Sequence, residues 1–421
     1  MEQSIMRIAR LIFGSLAWSI CCLILTVELP GAAAQESTPL PDKVDLAKEF
    51  AKFGLTPGEQ GSRDVCSLFA VTGAAEFEYS KHGGHGPRAL SEEYCIWAAH
   101  DASGLPGEQA MFYMAVHGLN TLGLCEQSLM PYSAAGNSRT RPSGKAIKNA
   151  GDLEHRWRVH WIRRWDVQTK MSDGQMMEIR RALANEHPVA CGLRWPKKLN
   201  GSAITTVPPA NEVEDGHSIL LVGYEMDDRA PGGGTFTFRN SWGAKWGHEG
   251  YGTMSFAYVR AYANDAFWLQ LERPGAESPV ERFEAEELPV LGSENCQASP
   301  QSMKEWGGGM WSRGKQLLCD SRRGGFVDLG FDVRKAGTYR VRVLATAAPD
   351  YGIVRMALDG KRVGSRFDLY SGRISPSGSL ELGKFELSPG RHRLRVVAEA
   401  KNIASRGFKF GLDAIDLLPV E

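Results

Sequence analysis

Four side chains carry the types and order needed for thiol chemistry. Cys66 sits in GEQGSRDVCSLFAVTGAAEFEY, His217 in EDGHSILLVGY and Asn240 in FTFRNSWGAKWGHEGYG, while Gln60 lies six positions before the cysteine (66−60). A thiolate is a strong nucleophile, and a helix N-terminus beside an imidazolium lowers the thiol pKa. Histidine carries protons near neutral pH, and an amide can hold its ring in one orientation. An attacked carbonyl develops negative charge that needs donors, and Gln60 can supply one beside the Cys66 backbone N–H. A lone cysteine at a helix start is commonly a small buried residue, so the weight rests on the set rather than on Cys66.

The elements that must position these residues are legible as patterns. Residues 66–79 read as a helix with Leu68, Phe69, Val71 and Phe77 as its apolar positions. Residues 109–117 and 175–185 read as further helices, and short apolar strands are expected near 187–193, 217–224 and 235–240. A helix-plus-sheet domain follows. The Pro- and Gly-containing, charged stretch 273–281 reads as a linker. Beyond it, strands are expected over 326–333, 338–345, 354–358, 379–387 and 392–398, separated by turns such as Asp359-Gly360 and Ser388-Pro389-Gly390. That texture predicts a separate all-β sandwich.

The four residues and their surroundings resemble the papain family of cysteine peptidases over about residues 44–271. Gln60 and Cys66 keep the family's spacing, and His217 precedes an apolar strand ending in Gly223-Tyr224. Asn240-Ser241-Trp242-Gly243, Trp246-Gly247 and Gly250-Tyr251 match its asparagine segment, and His217 follows Cys66 by 151 positions (217−66). The resemblance implies an α+β papain-like fold, a helical half plus an antiparallel β half. It also implies catalytic roles for Cys66, His217, Asn240 and Gln60, no catalytic cofactor, and a protein or peptide substrate. Trp242 would shelter the Asn–His hydrogen bond, and Gly104 and Leu105 would lie on the wall of the substrate pocket, the bland reading being a loop that introduces a helix. Arg63-Asp64-Val65 before the cysteine and Ser67 after it depart from the plant pattern and look like divergent bacterial members. Asp64 opposes thiolate formation unless Arg63 or the helix end outweighs it.

From Phe283 onward, FEAEE at the start and FKFGLDAIDLLP at the end resemble jelly-roll carbohydrate-binding modules. That resemblance implies an all-β jelly-roll sandwich, a glycan or cell-surface ligand, and a structural calcium on Glu284, Glu286 and Asp413. Trp306, Trp311, Tyr351 and Tyr370 are candidates for sugar stacking or, more plainly, core aromatics. The division expected is 1–34 leader, 35–272 peptidase domain, 273–281 linker and 282–421 β module, and removing the module is expected to leave small-peptide hydrolysis intact.

Arg7, Arg10, the apolar run 11–27 and Ala32-Ala33-Ala34 match a secretory signal, with an uncleaved anchor as the alternative. A secreted, periplasmic or cell-surface protein is expected, without room for a long inhibitory propeptide. Export permits disulfides, and Cys95–Cys125 and Cys296–Cys319 are the expected pairs, leaving Cys191 buried. His82 and His85 could be read as metal ligands, but a solvated loop fits better because no further ligands accompany them. Lys+Arg 49 against Asp+Glu 49 leaves no net charge, which gives nucleic acid no electrostatic footprint. The functional expectation is an exported cysteine endopeptidase targeted by its β module. Two other readings stand beside it: a catalytically silent adhesion or scaffold protein, and a Cys-dependent acyl transferase or amidase.

Overall fold

The sequence CSLFAVTGAAEFEY turns its small and apolar residues to every side, so the helix it forms must be enclosed. In a computed structural model that describes residues 39–82, 89–136, 140–153, 156–199, 201–272 and 281–420, the helix Cys66–His82 is buried from Cys66 through Tyr79. Helices Glu92–Ser103 and Phe112–Leu122 pack beside it, the first capped by the Ser91 hydroxyl accepting from the Tyr94 N–H at 2.9 Å. The expected leader, His85 and residues 273–280 lie outside the described residues.

On the other side stands an eight-stranded sheet. Its order is Arg156–Arg163, Ala263–Glu272, Val189–Pro196, Val213–Met226, Gly234–Arg239, Tyr251–Ser255 and Ala203–Ile204, with Lys43–Asp45 added on Val213–Met226. All these pairings are antiparallel except the last, Ala203–Ile204 on Tyr251–Ser255. Leu220↔Arg239 registers the histidine strand on the strand that delivers Asn240.

A second, nine-stranded antiparallel sheet follows the order Lys361–Asp368, Ile353–Leu358, Gly390–Ala400, Lys315–Val333, Phe410–Pro419, Gly337–Ala347 and Ser375–Leu387. Val290–Ser302 pairs with Lys315–Val333, and Glu281–Glu284 with Phe410–Pro419. The long strand Lys315–Val333 serves both layers: Leu317–Cys319 pair with Phe410–Leu412, whereas Phe326–Val333 pair with Gly390–Val397. It changes layers at Gly324-Gly325, where Gly324 has φ +80° and a Cβ at Gly325 would stand 2.3 Å from the Asn295 carbonyl. The strands curl around one apolar core to give the expected sandwich.

The six cysteines of the described residues are free thiols. The expected Cys95–Cys125 bond is not formed, both residues standing as buried thiols. Cys296 and Cys319 are diagonal neighbours on paired strands and their side chains touch, but they too stand as thiols. Among the described residues no helix is long and apolar enough to cross a membrane.

Candidate active site

Backbone geometry brings the four chemical residues together. Cys66 is the first residue of its helix, where backbone N–H groups are unpaired, and its Sγ lies 3.8 Å from the carbonyl of Gly216, the residue before His217. His217 Nε2 donates to Asn240 Oδ1 at 2.8 Å. The orientation of that amide is fixed, since Asn240 Oδ1 also accepts from the Ser241 N–H at 2.9 Å. In the neutral ring the proton therefore sits on Nε2 and the Nδ1 lone pair is left to receive a proton.

Gln60 is held from three directions. Its N–H donates to the Ser241 carbonyl at 2.8 Å, its Oε1 accepts from the Ser241 hydroxyl at 2.5 Å, and its Nε2 donates to the Arg63 carbonyl at 2.7 Å. The second Nε2 hydrogen is the donor that Gln60 can offer a developing oxyanion.

Aromatic rings enclose the imidazole. Trp242 lies 4.9 Å from the His217 ring, and Trp195 meets it edge-on at 4.4 Å. Trp195 was not legible as a site residue, because its strand reads only as an apolar run. Cys66, His217, Asn240 and Gln60 are all less than a tenth exposed. Burial pushes the Cys66 thiol up, with Asp64 adding only a minor push in the same direction. Burial likewise pulls His217 down to about 4 against the opposing Asn240 hydrogen bond. Both shifts favour the neutral forms of thiol and imidazole.

Arg63 does not serve as a counter-cation for the thiol. Its guanidinium is tied to Glu93 at 2.7 Å and Glu108 at 3.0 Å. Asp64 instead accepts from Gln109 Nε2 at 3.1 Å, and the Ser67 hydroxyl donates to the Ala110 carbonyl at 2.5 Å. Residues 109 and 110 therefore flank the cysteine. Gly104 and Leu105 lie further along that loop, where Leu105 faces the Gly307 turn of the second sheet.

Of the second cluster expected from sequence, Glu284 and Asp413 meet at Ser312. Glu284 Oε1 accepts from the Ser312 hydroxyl at 2.8 Å, and Asp413 Oδ1 from the Ser312 N–H at 2.9 Å. Burial pushes Asp413 up to about 8, and the charges of Glu284 and Glu286 add to the shift. Glu284 Oε2 and both Glu286 carboxylate oxygens are buried without a partner. The donor set suits a hard cation, although among the described residues no three His, Cys, Asp or Glu side chains already stand in coordinating array. His82 pairs with Glu78 one turn back, at 3.5 Å.

The aromatics considered for stacking are core residues. Trp311, Tyr351 and Tyr370 are buried, and Trp306 packs half-buried on the first core. Trp311 Nε1 donates to Thr346 Oγ1 at 2.8 Å and Gln316 Nε2 to the Tyr351 hydroxyl at 3.1 Å, so their polar tips are spent internally.

A model of the papain family cysteine proteases matches residues 40–263. A peptidase C1-like protein of Acanthamoeba polyphaga mimivirus is 28% identical over 159 residues, 36% of this chain and 48% of that protein. Pro-cathepsin H of Medicago truncatula is 27% identical over 222 residues, 49% of this chain and 56% of the relative. The chain thus spans about half the length of the curated relatives it matches. Among solved structures, the cysteine protease and lectin-like domains of Cwp84, a surface layer associated protein of Clostridium difficile, superpose with TM-score 0.51 at 12% identity. They cover 91% of this chain and 90% of that one. Both halves of the fold, in the same order, are therefore shared. With the family model spanning just over half of its 421 residues, the chain belongs to the papain family of cysteine proteases.

Proposed function

We propose that the protein is a cysteine endopeptidase acting through Cys66, His217, Asn240 and Gln60. The observation that carries the proposal is the His217–Asn240 hydrogen bond, which leaves Nδ1 as the basic nitrogen of a histidine whose neighbour Gly216 has its carbonyl 3.8 Å from Cys66 Sγ at a helix start. His217 takes the thiol proton as Sγ attacks the peptide carbonyl. The oxyanion is received by the Cys66 N–H and Gln60 Nε2. The His217 proton then passes to the leaving amine as the C–N bond breaks, and water, deprotonated by His217, hydrolyses the thioester. Trp242 and Trp195 keep water from the His217–Asn240 bond.

The second half would hold the chain at a glycan-bearing or other surface outside the cytosol. Support comes from the leader-like residues 1–34 and from the two-part layout shared with a surface-layer protein that has a lectin-like domain. Glu284, Glu286 and Asp413 would hold a calcium ion that neutralises their shared charge and ties the opening strand to the closing one.

The test is labelling with a peptidyl epoxide, alongside cleavage of an unfolded protein, for the full chain and for Cys66→Ala. Labelling and cleavage should both vanish in the variant. Neither signal in the intact chain would favour a silent scaffold. Labelling without hydrolysis, together with product formation when an amine is supplied, would favour acyl transfer.

A further inference from the structure

The turn joining Val290–Ser302 to Lys315–Val333 leaves its own sheet and enters the other half of the molecule. It consists of three single-turn helices, Lys304–Trp306, Gly308–Met310 and Ser312–Gly314. Met303, Met310 and Trp311 are buried in the core of the peptidase half.

Backbone meets backbone at this contact. A Cβ on Gly309 would stand 2.3 Å from the Ala102 carbonyl, and one on Gly307 would stand 2.8 Å from the Ser103 carbonyl and 3.0 Å from Leu105 Cγ. Gly309 has no positive φ that would itself demand glycine, so its missing side chain answers to this approach.

The loop it touches runs to the nucleophile. Helix Glu92–Ser103 stops at Gly104, φ +69°, and His100 bridges the loop from within, Nδ1 at 2.8 Å from the Leu105 carbonyl and Nε2 at 3.4 Å from the Glu108 carbonyl. Glu108 is bound by Arg63, Gln109 by Asp64 and the Ala110 carbonyl by Ser67. Those three partners lie within three residues of Cys66 in the chain. The loop is therefore held at one end by the β half and at the other by residues flanking the thiol.

We infer that the Gly307–Met310 turn of the β half is a positioning element for the 104–110 loop and so determines which peptide side chains the cleft accepts. The inference rests on Cys66 being the nucleophile. A displacement of about 1 Å at a substrate-positioning loop can cost as much as a hundredfold in rate.

Gly309→Ala tests it, and Gly308→Ala is the matched control, since a Cβ there meets nothing closer than 3.6 Å. The readouts are kcat/KM across a peptide library varied on the acyl side of the scissile bond, and alkylation of Cys66 by iodoacetamide. Gly309→Ala should change the preference ratio between library members by about tenfold or more, leaving iodoacetamide alkylation within about twofold of the parent. Gly308→Ala should match the parent in both. A folded Gly309→Ala with the parent's preferences, or a Gly308→Ala with the same change, overturns the inference. Should Gly309→Ala fail to fold, Met310→Ala loosens the same contact without a backbone clash, and unchanged preferences there overturn it equally. A parent chain that fails to label with the peptidyl epoxide marks failure of the nucleophile assignment instead.

Discussion

At the scale of single residues, the site trades solvation for orientation. His217 is fixed by Asn240 and walled by Trp195 and Trp242, and the same enclosure makes its imidazolium costly. With the folded value near 4 and the unfolded value near 6.5, the unfolded chain binds more protons at this residue throughout that interval. Its contribution to stability is complete above pH 6.5 and is lost as pH falls towards 4, by at most about 3 kcal/mol. Denaturant midpoints measured from pH 7 to 4 should fall less steeply for His217→Gln than for the parent. Identical slopes would assign the acid sensitivity elsewhere. Cys66, His217, Asn240 and Gln60 could be named as candidates from sequence because thiol chemistry demands particular residue types at recognisable spacings. Trp195, Gln109 and Ala110 could not. Trp195 contributes a ring that any apolar strand could carry, and Gln109 and Ala110 reach the cysteine through loop geometry.

At the scale of elements, legibility followed hydrophobic pattern. The helices Cys66–His82, Phe112–Leu122 and Asp173–Ala184 and the strands Val189–Pro196 and Gly234–Arg239 fall close to where periodicity puts them. Helix Glu92–Ser103 was overlooked because buried Glu92, Glu93 and His100 interrupt its apolar face, and their burial depends on distant partners such as Arg63. Strand Lys361–Asp368 escaped because KRVGSRFD is an outer strand with few inward apolar positions. Glu284 and Asp413 were legible as a pair because opening and closing strands of a sandwich must meet, and they do, with Glu284 opposite Ala414. Arg313 approaches Glu284 Oε1 at 3.7 Å, yet Glu284 Oε2 and both Glu286 oxygens stay buried without a partner. Millimolar calcium should raise the Tm at pH 8, and a chelator should reverse the rise. Asp413→Asn should abolish the calcium response, whereas an equal rise in that variant, or none in the parent, would remove calcium from this junction.

At the scale of the whole molecule, residues 40–421 form one compact unit, which changes the meaning of the β half. A tethered targeting module would leave the peptidase core complete. Here Met303, Met310 and Trp311 fill part of that core, and a second contact adds the Gly372 N–H donating to the Trp165 carbonyl at 2.8 Å, with Arg373 4.5 Å over the Trp165 ring. Between these contacts lies a cavity of about 570 Å³, bordered by Tyr113, His117 and Trp161 on one side and by Arg282, Arg342 and Glu381 on the other. Burial of a large apolar side chain is worth roughly 1.5–3 kcal/mol. The three core residues alone therefore match a substantial share of the roughly 5–15 kcal/mol by which domains are stable. Sequence alone could not reveal this, because a glycine-rich turn within a strand-rich region reads as a surface loop. A chain ending at residue 272 should lose cooperative unfolding or drop in Tm by about 10 °C or more, and lose peptide hydrolysis with it. Circular dichroism melting and kcat/KM on the same sample check this. A truncated chain that melts and hydrolyses like the full chain would restore the β half to the status of a separable module.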